Sequence, residues 1–302
     1  MKHFVDFLRK KDISLQEEFI RIRILLMELP VIQGTPWHPS ATLLDVLDSV
    51  SPHSKFKGTS VSARDGFNRA IPGCFEKRFK IGEEGFFLFS EMCYCLLVEA
   101  IEFSNDSCNY ATLYDYRSSI SEAAVHVMSN IDKVLEKLGY KMELIESQQV
   151  WMVVAQDEVV EAAAAGSNEN VADLLSMYRR PGSHGNVQEK KSILLSLARV
   201  VEPMCQDRKL NEMTSGLCKR ISQALNTLDI RHNNREGKNA KQLLMKLDEK
   251  ELEPHYDEIV EMIVALLAEH RRMVSQQDLD SFLGKVEEAE KKNVLIDSEI
   301  HN

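Results

Sequence analysis

Arg231-His232-Asn233-Asn234-Arg235 sets five hydrogen-bonding side chains in a row, the densest chemistry in the chain. A histidine gives or takes a proton near neutral pH, and an arginine grips a phosphate through two parallel hydrogen bonds. With Asn233 and Asn234 to orient a substrate, Arg231 and His232 have the equipment to attack an RNA phosphodiester. Arg235, Lys238, Lys241 and Lys246 make the stretch basic against the single acid Glu236, which suits contact with a phosphate backbone. A second cluster, Arg179 to His184, brackets the turn Pro181-Gly182 and offers another Arg and His for RNA contact. Both clusters also have a structural reading. An Arg-His pair at a helix end can satisfy the last free carbonyls and the negative end of the helix dipole, and asparagines can cap the turn.

Other chemistries find no pattern in the chain. There is no H-E-x-x-H or acidic ladder, so no metal site is expected, and no Walker A loop or dinucleotide fingerprint, so no cofactor is expected either. Gly82-Glu83-Glu84-Gly85 places acids where a phosphate loop needs bare N-H groups. No G-x-S-x-G elbow is present. The six cysteines lack a C-x-x-C pair and read as reduced thiols, and His126 reads as a structural helix residue. A net charge of -10 argues against a general polyanion binder. Apolar runs such as Val150 to Ala155 fall far short of the roughly 20 residues that a membrane helix needs. The N-terminus, interrupted by Asp6, does not resemble a signal peptide, and the expectation is a cytoplasmic protein without membrane contact.

The elements that must position these residues are mostly helical. Ser14-Leu-Gln-Glu17 has the form of a capping box and opens a helix with Phe19, Ile22, Leu26 and Leu29 on one face, ended by Pro30. Residues 31 to 40 read as loop, Ala41 to Val50 as a short helix, and Ser51 to Gly73 as a long surface loop. Phe75, Phe79, Phe86, Phe87 and Phe89 read as aromatic core. A helix from about Thr112 to Leu138 is closed by Gly139. Lys141 to Ile145 and Val150 to Val154 read as a hairpin.

Helices follow over Val159 to Ala165 and Val171 to Tyr178, then from an Asn186 cap to Pro203, and from Leu210 to Leu228. The last long helix starts at Glu253-Pro254 and carries Ile259, Met262, Ile263, Leu266 and Leu267 on one face. The expected fold is therefore mostly α, a multi-helix bundle with one small β-hairpin. It divides into an N-terminal helical domain (1-139), a C-terminal helical domain with the hairpin (140-273) and an acidic tail (274-302). Sparse apolar residues predict a tail that is mobile or weakly helical.

A resemblance enters at the C-terminal half. A helix ending in Leu228-Asp-Ile-Arg-His-Asn-Asn234, a polar loop, and a last helix beginning near Pro254-His-Tyr-Asp-Glu-Ile-Val-Glu-Met262 resemble a group of bacterial abortive-infection and HEPN-like helical domains used in phage defence. The likeness covers about Leu138 to Arg272 and includes Trp151, the Arg179 to Lys190 turn and Ile230 to Asn234. It implies an antiviral defence protein acting on RNA as a metal-independent ribonuclease. HEPN-like ribonucleases place an Arg and a His a few residues apart at the start of a late helix. Here His232 stands beside Arg231, whereas Arg179 and His184 have the wider spacing around a Pro-Gly turn. The alternative is a non-catalytic helical interaction or scaffold module, binding a protein partner or a second copy of itself.

Overall fold

The structure, a computed structural model, describes residues 14-33, 40-51, 62-106, 111-165, 167, 169-214, 216-228, 230 and 248-300; for 111, 112, 169, 249 and 286-300 it describes the backbone alone. The Arg231-Arg235 cluster, Lys238, Lys241 and Lys246 lie outside the described residues. The architecture is mostly helical with two small two-stranded antiparallel sheets, and it falls into two compact units. The first unit runs up to Gln156 and takes in Arg179–Gly182; the second holds Asp157–Tyr178 and the chain from Ser183 onwards.

In the first unit, α1 (Leu15–Met27) begins where the Ser14 hydroxyl accepts from the Glu17 N-H, and it buries Phe19, Ile22 and Leu26. Next come β1 (Pro30–Ile32), β2 (Ala41–Thr42) and α2 (Leu43–Val50), the last opened by a reciprocal Thr42–Asp45 capping box. α3 (Ala63–Ala70) starts at Ser62. The long α4 (Glu83–Ser104) is the unit's axis, packing on α2, on α6 (Arg117–Leu138) and on the hairpin strand β4 (Val150–Ala155). A single turn, α5 (Ala111–Tyr114), precedes α6. Phe19 and Phe89 meet edge to face at 4.9 Å, a favoured geometry for aromatic rings.

Gly139 closes α6 in the left-handed region at φ +84°, where glycine carries no Cβ penalty, and turns the chain into β3 (Tyr140–Ile145). The hairpin is in continuous register from Tyr140 opposite Ala155 to Ile145 opposite Val150. A lone hairpin is marginal in water, and this one is held by burying Val153 in the first unit's core. The compact units accordingly divide after Gln156, with the hairpin in the first rather than grouped with the C-terminal helices.

The second unit contains α7 (Glu158–Ala165), α8 (Glu169–Tyr178), a 3-10 turn at Pro181–Ser183 of which Ser183 belongs to this unit, α9 (Val187–Cys205), α10 (Arg208–Met213), α11 (Leu217–Thr227) and α12 (Glu249–Ile300). Its core gathers Leu175, Ile193, Leu194, Leu197, Leu225, Ile230, Tyr256, Ile259, Ile263 and Leu266. The expected apolar faces of α9 and α12 point inward as their spacing demands.

Several boundaries differ from the sequence reading. The loop over Ser51 to Gly73 contains α3, a short helix that buries only Ala63 and Phe67 and so shows little apolar period. The β1–β2 pair adds a second small sheet: β1 lies at the start of what reads as loop, and β2 takes Ala41 and Thr42 from the expected helix, which begins at Leu43. Gly216, at φ +85°, separates α10 from α11 where one helix is expected. α9 passes through Pro203 to Cys205. α12 begins at Glu249, not at Glu253-Pro254, because Asp248 and Glu251 cap each other's backbone N-H groups at 2.8 and 2.9 Å. The tail expected to be weakly helical continues α12 without interruption to Ile300.

Candidate functional site

Lys190 sits in the inward stripe of α9, between Val187 and Ile193, and its side chain is 5 % exposed. An unpaired ammonium there would be costly, so it requires carboxylates. α12 supplies them one helical turn apart: Glu253 Oε1 and Asp257 Oδ1 each lie 2.7 Å from Lys190 Nζ. Tyr178, at the end of α8, donates its hydroxyl to Asp257 Oδ1 at 2.8 Å and turns its ring toward the ammonium at 5.1 Å. Three helices thus meet on one buried charge.

Glu253 also holds the turn between α8 and α9. Its Oε1 accepts the Gly185 N-H at 2.8 Å and lies 3.3 Å from His184 Nδ1. Ser183, itself buried, donates to the Tyr178 carbonyl at 2.7 Å, and Asn186 caps α9 by accepting from the Glu189 N-H. The turn is therefore fixed from both ends while the His184 side chain remains 85 % exposed. Burial raises the Glu253 carboxyl, but the Lys190 and Gly185 hydrogen bonds and the Lys190 charge outweigh it and hold it below its ordinary value. Burial and the adjacent Asp257 push the Tyr178 phenol upward, so it stays a hydrogen-bond donor at neutral pH.

The first unit has its own buried carboxylate. Glu91, on the inner side of α4, accepts the Val153 N-H at 3.0 Å and an Arg180 guanidinium N-H at 3.1 Å. Burial lifts this carboxyl above its ordinary value, only partly offset by Arg180. Arg179 donates to the Ala155 carbonyl at 3.0 Å and stands 3.9 Å from Glu143, with its side chain 9 % exposed. Its guanidinium braces the hairpin end. A cavity of about 300 Å³ nearby is lined by Cys95, Glu99, Glu102, Gln148 and Trp151.

Of the residues singled out from the sequence, the structure thus places His184 at the surface against Glu253 and Arg179 against the hairpin. Lys190, Glu253, Asp257 and Tyr178 were not singled out, because tertiary packing assembles them from three helices. One signal was legible: a lysine in the apolar stripe of α9 demands an acidic partner. Thiol chemistry is disfavoured at Cys74 and Cys95, whose thiols burial pushes up to about 11, and at Cys205, raised by burial and Cys218 to about 12. Among the described residues, no group of three or more His, Cys, Asp or Glu is placed to hold a metal ion, and no helix is long and apolar enough to cross a membrane. No protein-family model, curated protein or solved structure matches this chain.

Proposed function

We propose that the chain is a prokaryotic phage-defence protein of the abortive-infection type that acts on RNA as a metal-independent ribonuclease. The observation that supports it is the His184–Glu253 pair, a surface imidazole beside a half-buried carboxylate that is itself fixed by Lys190. A carboxylate at Nδ1 sets the tautomer and leaves Nε2 facing solvent, the arrangement a proton-transfer histidine needs. In the reaction a base takes the ribose 2′-OH proton, the 2′ oxygen attacks the adjacent phosphorus, and the bond to the 5′ oxygen breaks. A proton given to that leaving oxygen completes the step and yields a cyclic phosphate and a free 5′-hydroxyl. His184 is the described residue equipped for the proton transfer. By their types, His232 serves as second proton donor or acceptor, Arg231 and Arg235 hold phosphate, Asn233 and Asn234 orient the substrate, and Lys238 and Lys241 track the backbone.

The test is cleavage of single-stranded RNA in the presence of a chelator. His184→Ala and His232→Ala are each expected to lose cleavage, and His184→Ala, altering an exposed side chain, should change stability by less than about 0.5 kcal/mol. Full cleavage by both variants, or none by the unaltered protein, defeats the reading. A second reading, a non-catalytic interaction module, is favoured by the solvent-facing apolar residues of α12 beyond Met273. It predicts a His232→Ala protein that loses stability and an unaltered protein without nuclease activity.

A further inference from the structure

The core of the second unit stops at Met273, yet α12 continues to Ile300. Every residue from Val274 to Lys285 is exposed, including Leu279, Phe282 and Leu283, with Phe282 at 61 %. A helix with no packed face gains little from propensity alone, because in proteins most helical stability comes from packing an apolar face. Large apolar side chains on it ask for a partner.

The sequence carries a heptad over this stretch. Leu279, Val286, Asn293 and Ile300 fall at one core position and Phe282, Ala289 and Ile296 at the other, three heptads in all; Leu283, beside the seam on the side of the acids, and Val294 and Leu295 are the apolar residues outside the register. The flanking positions bear Lys285 and Lys292 on one side and Glu290 and Asp297 on the other. In a parallel pair each such lysine faces the acid five residues further along the other helix, so Lys285 meets the second copy's Glu290 and Lys292 the second copy's Asp297. An antiparallel pair would set lysine against lysine and acid against acid. A single Asn at a core position is the device that fixes register and favours two strands.

We infer that residues 279–300 form a parallel two-stranded coiled coil with a second copy of this chain. The charges are complementary to themselves, which identifies the occupant as the same sequence. Three heptads are near the minimum for such a seam, so the dimer dissociates measurably on dilution.

Sedimentation equilibrium of the full chain tests it. The expected mass at high concentration is twice 34.5 kDa. Phe282→Glu, which alters a residue outside the core of the body, is expected to raise the dissociation constant by about tenfold or more. Lys285→Glu and Glu290→Lys each weaken the dimer, and the double variant restores it, a rescue that a merely damaged helix does not show. A chain that stays monomeric at about 100 µM, a concentration at which a micromolar-range pair is mostly associated, overturns the inference. So does a Phe282→Glu protein that dimerises as well as the original, or a double charge exchange that fails to rescue.

Discussion

Glu91 in the first unit is buried and Glu253 in the second is half-buried; each faces a cation, Arg180 and Lys190 respectively, and their proton affinities move in opposite directions. At Glu91 one backbone N-H and a part-exposed Arg180 do not offset burial, and the carboxyl is raised. At Glu253 the Lys190 ammonium at 2.7 Å and the Gly185 N-H at 2.8 Å outweigh burial, and the carboxyl is lowered. A cation alone does not decide a buried acid's charge. What decides it is how deeply the acid itself is buried, set against how close its donors are and how far they too have been removed from water.

The largest effect is expected from removing Lys190. Lys190→Ala leaves the half-buried Glu253 without its cation and is expected to destabilise the second unit by about 1.5-3 kcal/mol, the range for hydrogen bonds to a charged group. Lys190→Met combined with Glu253→Gln should recover part of that loss, since no carboxylate at position 253 is then left without its cation. A denaturant midpoint for Lys190→Ala within about 1 kcal/mol of the original would make this pair no stronger than a surface contact.

pH separates the two carboxylates by a smaller effect. The lowered Glu253 carboxyl contributes stability that is present above its ordinary value of 4.5 and is lost as pH falls through its folded value. The raised Glu91 carboxyl behaves the other way: the folded state binds its proton more tightly, so its contribution is full in acid and is lost as pH rises above 4.5 through its folded value. Glu253→Gln should therefore cost about 2 kcal/mol at neutral pH and less in acid. Glu91→Gln should cost least at neutral pH and more in acid. Chemical denaturation across the acid range should give slopes of opposite sign, and parallel slopes would remove the distinction.

The smallest change marks which transition belongs to the first unit. At Gly139 an added Cβ would meet nothing within 4 Å, so Gly139→Ala is opposed by the φ of +84° alone. About 1 kcal/mol is expected, with no change in either pH slope. A larger loss would mean that the hairpin entry is packed more tightly than its geometry indicates.

The sequence was most legible where one period ran long. The α12 face from Ile259 to Leu267, the α6 face ending at Gly139 and the Val150–Ala155 strand all stand as their spacing predicts. It was least legible where elements are short: β2 has two residues, and α3 buries two side chains, too few to repeat a period. The site divides the same way. His184 and its Pro-Gly turn could be picked out locally, whereas Glu253, Asp257 and Tyr178 become partners of Lys190 only through the packing of α8, α9 and α12. Glu91 carried a comparable signal, an acid inside the apolar run Phe86 to Phe103, and its partner Arg180 lies 89 positions away.

The return of Arg179–Gly182 to the first unit bears on how the chain is made. A ribosome delivers the whole of residues 14 to 156 well before these four residues leave the exit tunnel. Until they do, the Ala155 carbonyl lacks the Arg179 donor and Glu91 faces the hairpin without Arg180. The N-terminal unit is thus left a few bonds short while α7 and α8 emerge from the tunnel, and a chain ending at Gln156 would hold an acid in its core with no guanidinium to meet it.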